Sequence, residues 1–151
     1  MITLTPEQLF LRYAYVCTED RFARGLFNEA HLVTLKRLIE EGGIPEQALL
    51  EECFTDATNA LIQFAHGQGQ PAWTIETVTD FWRHHHGHTG DCRVLHGTVL
   101  VVCSQKKIAV RVYGDDAKKS SDYFALNHYG LSLSVGDHIT LHRRVIIERL
   151  A

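Results

Sequence analysis

Residues 84–96 concentrate side chains that bind metals or carry out acid–base chemistry. Five of the ten histidines in this 151-residue chain lie in the stretch, together with the carboxylate Asp91 and the thiol Cys92. Imidazole, thiolate and carboxylate groups are the ligands of borderline transition ions. Because nitrogen donors dominate and one sulfur is present, the composition favours nickel or zinc.

The spacing of these residues predicts a ligand set, namely His84, His88 and Cys92. If the preceding helix continues past Gly87, His84 and His88 lie one turn apart on the same face, as in helical His-x-x-x-His zinc sites. Glycines at 87 and 90 would let the backbone fold back towards those rings. The other members of the segment are alternative ligands or groups that orient the ligands: His85, His86, Asp91 and His96.

Two other interpretations of the same segment stay open. The Glu of a His-Glu-x-x-His motif is missing, and histidines at a polar helix end interact favourably with the C-terminal dipole without any metal. A catalytic version would use Cys92 as nucleophile, a neighbouring histidine as its base and Asp91 to orient that base. The alternative to catalysis is that Cys92 is a structural residue, with its thiol half buried at the start of a strand.

Composition and charge exclude several classes of partner. The formal net charge is −3 and Lys and Arg form no dense run, which argues against a protein that binds nucleic acid by phosphate neutralisation. The first residues, MITLTPEQLF, lack the pattern of a secretory signal, and no apolar run approaches the roughly 18 residues that span a membrane. The four cysteines form no C-x-x-C pair. We therefore expect a cytoplasmic protein that binds neither nucleic acid nor membrane.

Residues 1–87 have the apolar spacing of a helical module with about four helices. The run Thr5-Pro6-Glu7-Gln8 has the residues of a capping box, with proline at the first helical position. A second helix is expected from about Asn28 to the glycines at 42 and 43. A third is expected from residue 44 to Gly67, and a fourth from Thr74 into the histidines.

Residues 88–151 change to the period of two that strands require. Strands are expected at 94–102, 108–113, 123–126 and about 138–147, with a polar loop at 114–121. With no helix between them, these strands predict a small antiparallel barrel or meander. The fold class is thus α+β, with a helical module (1–87) and a β module (88–151), or one compact domain formed by both.

Three segments of the β module resemble a known family. Gly97-Thr98-Val99-Leu100-Val101-Val102, Ala109-Val110-Arg111-Val112-Tyr113-Gly114 and Val135-Gly136-Asp137-His138-Ile139-Thr140-Leu141-His142 are similar to the barrel strands of the HypC/HupF-type hydrogenase assembly chaperones, over about residues 93–150. The resemblance implies a small barrel and a role in assembling nickel–iron hydrogenase. That family carries a cysteine directly after the initiating methionine, whereas this chain begins Met1-Ile2. If the β module is considered alone, Cys92, just before the first strand, lies near the position that the family's cysteine would occupy.

The leading functional hypothesis is a non-enzymatic, metal-binding accessory or metalloenzyme-assembly protein that contacts a protein partner. Its ion would be nickel or zinc, held by the ligands named above. A second hypothesis is a metal-dependent or cysteine-centred enzyme with its site where the helices meet the β module. A third is an interaction module without metal, in which the barrel docks a partner and the histidines pack or sense pH. It predicts an exposed apolar patch and a partner found by co-purification.

Overall fold

The computed structural model describes residues 3–86, 93–113 and 119–150. The chain divides into two compact units, residues 1–86 and residues 87–151. The first unit is helical and the second is a five-stranded sheet, so the protein combines helices with strands as predicted. Within the described ranges, no helix has both the length and the apolar character needed to cross a bilayer.

The described part of the helical unit contains six α-helices and one π-helical turn. They are α1 (Pro6–Tyr15), α2 (Thr18–Ala23), α3 (Glu29–Glu41), α4 (Gln47–Cys53), α5 (Thr55–Gly67), α6 (Ile75–Asp80) and the π-helical turn Phe81–His85. Aromatic rings form the centre of the core. Trp82 is 1% exposed, stacks on Tyr13 with ring centroids 5.4 Å apart, and meets Phe10 edge to face at 5.2 Å.

Local capping interactions confirm two of the predicted helix starts. At α1, the Gln8 backbone N–H donates to the Thr5 hydroxyl at 3.1 Å, and the Thr5 N–H donates to the Gln8 side chain at 2.9 Å. At α3, the Asn28 side chain accepts a hydrogen bond from the His31 N–H at 3.0 Å. Gly42 ends α3 with φ of 69°, a left-handed conformation that glycine adopts without a steric penalty.

The prediction of about four helices is wrong in two places. The expected helix over residues 44–67 breaks at Phe54, whose φ of −129° and ψ of 53° are not helical. Phe54 is 2% exposed and packs edge to face on Phe10 and Phe27, at 6.5 and 6.3 Å, so tertiary packing accompanies the break. The short helix α2 lies in a stretch for which no helix was predicted.

Five strands make up the described sheet. They are β1 (Val94–Val102), β2 (Lys107–Tyr113), β3 (Ser120–Leu126), β4 (His138–His142) and β5 (Val145–Arg149). Their spatial order is β1-β2-β3-β5-β4, and β4 pairs back onto β1, which closes the ring of pairings. Four of the side chains at the centre of its core are fully buried: Ile108, Val110, Ile139 and Ile146.

The order of the strands corrects the meander prediction. A meander would place β4 next to β3, whereas β5 is the neighbour of β3. The two strands are parallel and are paired through one residue pair, Leu126 with Val145. The strand expected at 138–147 is a hairpin instead. Arg143 and Arg144 have φ of 52° and 63°, and two successive positive values form the tight turn that joins twisted antiparallel strands.

Candidate functional site

The histidines at the end of the helical unit lie against different aromatic neighbours. The His85 ring lies 4.2 Å from the Phe64 ring, and the His86 ring lies 4.1 Å from the Trp82 ring. His84 and His85 are exposed, and His86 is half-buried. The wider π-helical turn sets these directions, because the His86 N–H donates to the Phe81 carbonyl five residues back, at 2.7 Å.

The continuous helix that would align His84 with His88 is not present. The helical turn ends at His85, and His86 has an extended backbone with φ of −79° and ψ of 129°. His88, Asp91 and Cys92 lie outside the described residues. His96 belongs to β1 in the other unit, where it pairs with Tyr113 and Thr140.

The metal hypothesis stays a prediction at this point. Across residues 3–86, 93–113 and 119–150, no group of three or more His, Cys, Asp or Glu side chains is arranged to hold an ion. Two of the three predicted ligands, His88 and Cys92, and the alternative ligand Asp91 lie beyond those ranges.

Cys53 illustrates how burial suppresses thiol chemistry. Its side chain lies in the core of the helical unit, and burial, the largest influence, raises the pKa of the thiol to about 11. Since the thiolate is the nucleophile and the metal ligand, Cys53 is almost entirely unreactive near neutral pH. Cys103, by contrast, is exposed.

The outer face of the sheet carries an exposed apolar strip that the sequence did not single out. Val101 pairs with Ala109 and Ala109 pairs with Phe124, so three strands contribute to one row. Val101 is 52% exposed and Phe124 is 57% exposed. We define the apolar strip as Val101, Ala109, Phe124 and the neighbouring Leu126, which is 43% exposed.

Cations border the apolar strip. The Lys107 ammonium lies 4.1 Å from the centroid of the Phe124 ring, a cation–π contact. Along the strands, Arg111 donates two hydrogen bonds to Asp122, at 2.8 and 2.9 Å. These hydrogen bonds are the largest influence on Asp122 and hold the pKa of its carboxyl below the usual range. The Asp122 charge is therefore compensated by Arg111, while Lys107 faces outward.

A cleft of about 460 Å³ opens at the end of the β1–β2 hairpin. Val102 and Ile108 form its apolar wall, the hairpin turn contributes Ser104 and Gln105, and residues 130–133 close the other side. The lining thus combines aliphatic side chains with hydroxyl and amide groups. Such a surface suits an apolar side chain whose backbone is hydrogen-bonded at the rim.

Asn127 holds the two sides of this cleft together. Its amide nitrogen donates to the carbonyls of Gln105 and Leu131, at 3.0 and 2.8 Å. Its amide oxygen accepts from the Leu131 N–H at 2.9 Å. The Asn127 backbone N–H donates to the Lys106 carbonyl at 2.7 Å. Because Asn127 is only 4% exposed, these bonds fix the shape of the cleft.

Charge is divided unequally between the two units. Residues 1–86 contain six Lys or Arg and twelve Asp or Glu, whereas residues 87–151 contain nine and six. The formal charges are therefore −6 and +3, which together give the −3 of the chain. The whole-chain value conceals a cationic β unit, which would attract an acidic partner at long range.

Comparison with known proteins adds no family to these observations. No protein-family model matches the sequence, and no curated protein or solved structure is significantly similar to it.

Proposed function

We propose that this protein is a non-enzymatic interaction module whose β unit, a small barrel, docks a protein partner. The apolar strip is the observation that carries the proposal. Val101 and Phe124 lie in one cross-strand row and are each more than half exposed. Contiguous exposed apolar side chains with a charged border are typical of protein contact surfaces.

The surroundings of the strip support docking by an ordered surface. Val102 is 41% exposed and forms part of the cleft wall, on the opposite side of β1 from Val101. The cleft therefore offers the partner a second, separate place for an apolar side chain at the end of the hairpin that carries the strip. Anchoring residues seated in such pockets contribute most of the affinity of many interfaces.

The test measures partner retention by crosslinking and affinity purification from the native cell. We expect a partner that crosslinks to the wild-type protein to be lost when Val101→Asp or Phe124→Ser changes the strip. Val33→Asp is the matched control, because Val33 is 53% exposed but lies in the helical unit. Equal recovery with all three variants would contradict docking through the strip, and unchanged far-UV circular dichroism must accompany each variant.

Metal binding linked to hydrogenase assembly is the second candidate function. The observation that favours it is that His84, a predicted ligand, and His85 are both exposed at the end of the helical unit. They lie a few residues before the other two predicted ligands, His88 and Cys92, in the sequence. A site of this kind would bind nickel or zinc and would use the docking surface to reach the partner that receives the ion.

For that candidate, metal analysis of tag-free protein after dialysis is decisive. We expect one nickel or zinc ion to be retained, and the affinity to fall at least ~10-fold when His84 and His88 are both replaced by alanine. His66→Ala is the control, since His66 is an exposed histidine in α5. Metal content that is substoichiometric and equal in all three proteins would remove this candidate.

A further inference from the structure

Among the residues that the structure describes, one edge of β3 is open along most of its length. The Leu126 N–H donates to the Arg144 carbonyl at 2.9 Å, so the backbone groups of Leu126 face β5. Backbone groups of alternate residues point to the same edge of a strand. Those of Ser120, Asp122 and Phe124 therefore face that edge too, and in the described part of the chain the only pair formed there is Leu126 with Val145.

Within the described ranges, β3 itself lacks the usual protection against an added strand. Proteins block open edges with bulges, proline, lysine or very short strands. β3 has seven residues and pairs with β2 without a register shift. Its outer-face charge, Asp122, is compensated by Arg111 through two hydrogen bonds.

The geometry points to strand addition: an extended segment of a partner protein, alternating apolar and acidic residues, pairs with β3 along Ser120–Phe124. Backbone hydrogen bonds to an edge strand supply affinity, and alternate side chains supply specificity. The inference rests on the proposed docking function, because the added strand would extend the apolar strip at Phe124.

Side chains on the two faces of β3 define the chemistry of the partner. On the outer face, an apolar residue of the added strand would lie beside Phe124, which is 57% exposed. On the opposite face, the exposed Arg144 guanidinium lies 4.4 Å from the centroid of the half-buried Tyr123 ring. An acidic residue directed to that face would meet Arg144, in keeping with the formal charge of +3 on the β unit.

A second copy of this chain fits the edge less well. In antiparallel pairing of two β3 strands, the register that engages Ser120, Asp122 and Phe124 together places Asp122 directly opposite Asp122 of the second copy. Arg111 compensates each carboxylate, but the two Asp122 side chains would still be direct neighbours across the pair, and like charges in directly opposed positions are destabilising. The alternative register centred on Phe124 needs the Leu126 N–H, which already donates to Arg144.

The first experiment measures binding of labelled synthetic peptides to the full chain by fluorescence anisotropy. The probe is a seven-residue peptide of alternating Val and Glu, matching the seven residues of β3, and the control replaces every Glu by Lys. We expect the Glu peptide to bind at least about 10-fold more tightly, a difference of about 1.4 kcal/mol. Equal affinities, or binding of a uridine 12-mer in preference to the Glu peptide, would overturn the inference.

The second experiment isolates the backbone contribution by comparing Asp122→Pro with Asp122→Ala. Both variants lose the carboxylate, but only proline removes the outward N–H, and edge strands tolerate proline where the N–H faces solvent. We expect Asp122→Ala to keep peptide binding and Asp122→Pro to weaken it at least about 10-fold, with circular dichroism unchanged in both. Equal binding by the two folded variants would overturn strand addition. Sedimentation that shows a dimer lost only in Asp122→Pro would assign the edge to a second copy and equally overturn it.

These outcomes separate the inference from the docking proposal. If Val101→Asp releases the native partner and Asp122→Pro retains it, docking through the strip stands and strand addition falls. If both variants retain the native partner, the docking proposal itself falls.

Discussion

Replacing Trp82 by alanine is expected to lower the free energy of unfolding of the helical unit by about 3–5 kcal/mol. Trp82 is 1% exposed, and three aromatic rings, those of Phe10, Tyr13 and Phe81, lie within 5.5 Å of its ring by centroid. The small side chain would leave a cavity whose walls lose these contacts. Since single domains are stable by only about 5–15 kcal/mol, much of the helical unit would unfold at moderate temperature.

Urea denaturation followed by circular dichroism at 222 nm measures this loss, and Trp73→Ala is the matched control. Trp73 is half-buried, and its ring meets the Phe10 ring at 5.3 Å. We expect the Trp73 variant to lose less than half as much stability. Equal losses for the two tryptophans would show that the stacked cluster around Trp82 is not the centre of the core.

The helix ends could be predicted because their determinants are local. The hydrogen bonds between Thr5 and Gln8 join residues three apart, as does the bond from His31 to Asn28. Residue types at these positions therefore report the structure directly. The break at Phe54 depends on packing against Phe10 and Phe27, which lie far away in sequence, and helical periodicity contains no signal for it.

The candidate site could not be predicted from residue types because it depends on strand register. Tyr123 and Phe124 are adjacent and both aromatic, and successive strand residues face opposite sides. The sequence does not say which ring is exposed. Pairing of Phe124 with Ala109, and of Ala109 with Val101, creates the apolar strip from three separate strands.

The turn between β4 and β5 shows a different limit of sequence reasoning. Residues that accept positive φ are usually Gly, Asn or Asp, whereas here Arg143 and Arg144 adopt it. Without a turn signal, residues 138–147 have the pattern of one long strand. The hairpin changes the strand order, and it places β5 beside only the end of β3, so in the part of the chain that is described the rest of the β3 edge has no strand partner.

Replacing Asn127 by aspartate is expected to destabilise the β unit by about 2–3 kcal/mol at neutral pH. It is also expected to abolish binding of the partner's apolar side chain in the cleft. The substitution keeps the size of the side chain but removes two donors, so the carbonyls of Gln105 and Leu131 lose their partners. The introduced carboxylate would be buried against two carbonyl oxygens. Burial and these dipoles favour its neutral form, so its pKa in the folded protein lies above the unfolded value of about 3.9.

The sign of the pH dependence follows from that raised pKa. Below the unfolded pKa of about 3.9 the carboxyl becomes protonated in both folded and unfolded states and can donate one of the two lost hydrogen bonds, so part of the lost stability returns. As pH rises above about 4, the unfolded state ionises first and the variant loses stability relative to wild type. Urea denaturation from pH 4 to pH 8 measures this difference, and Asn127→Ala, which has no ionisable group, is the control. A constant difference between wild type and Asn127→Asp across that range would show that Asn127 does not clamp the cleft through its amide.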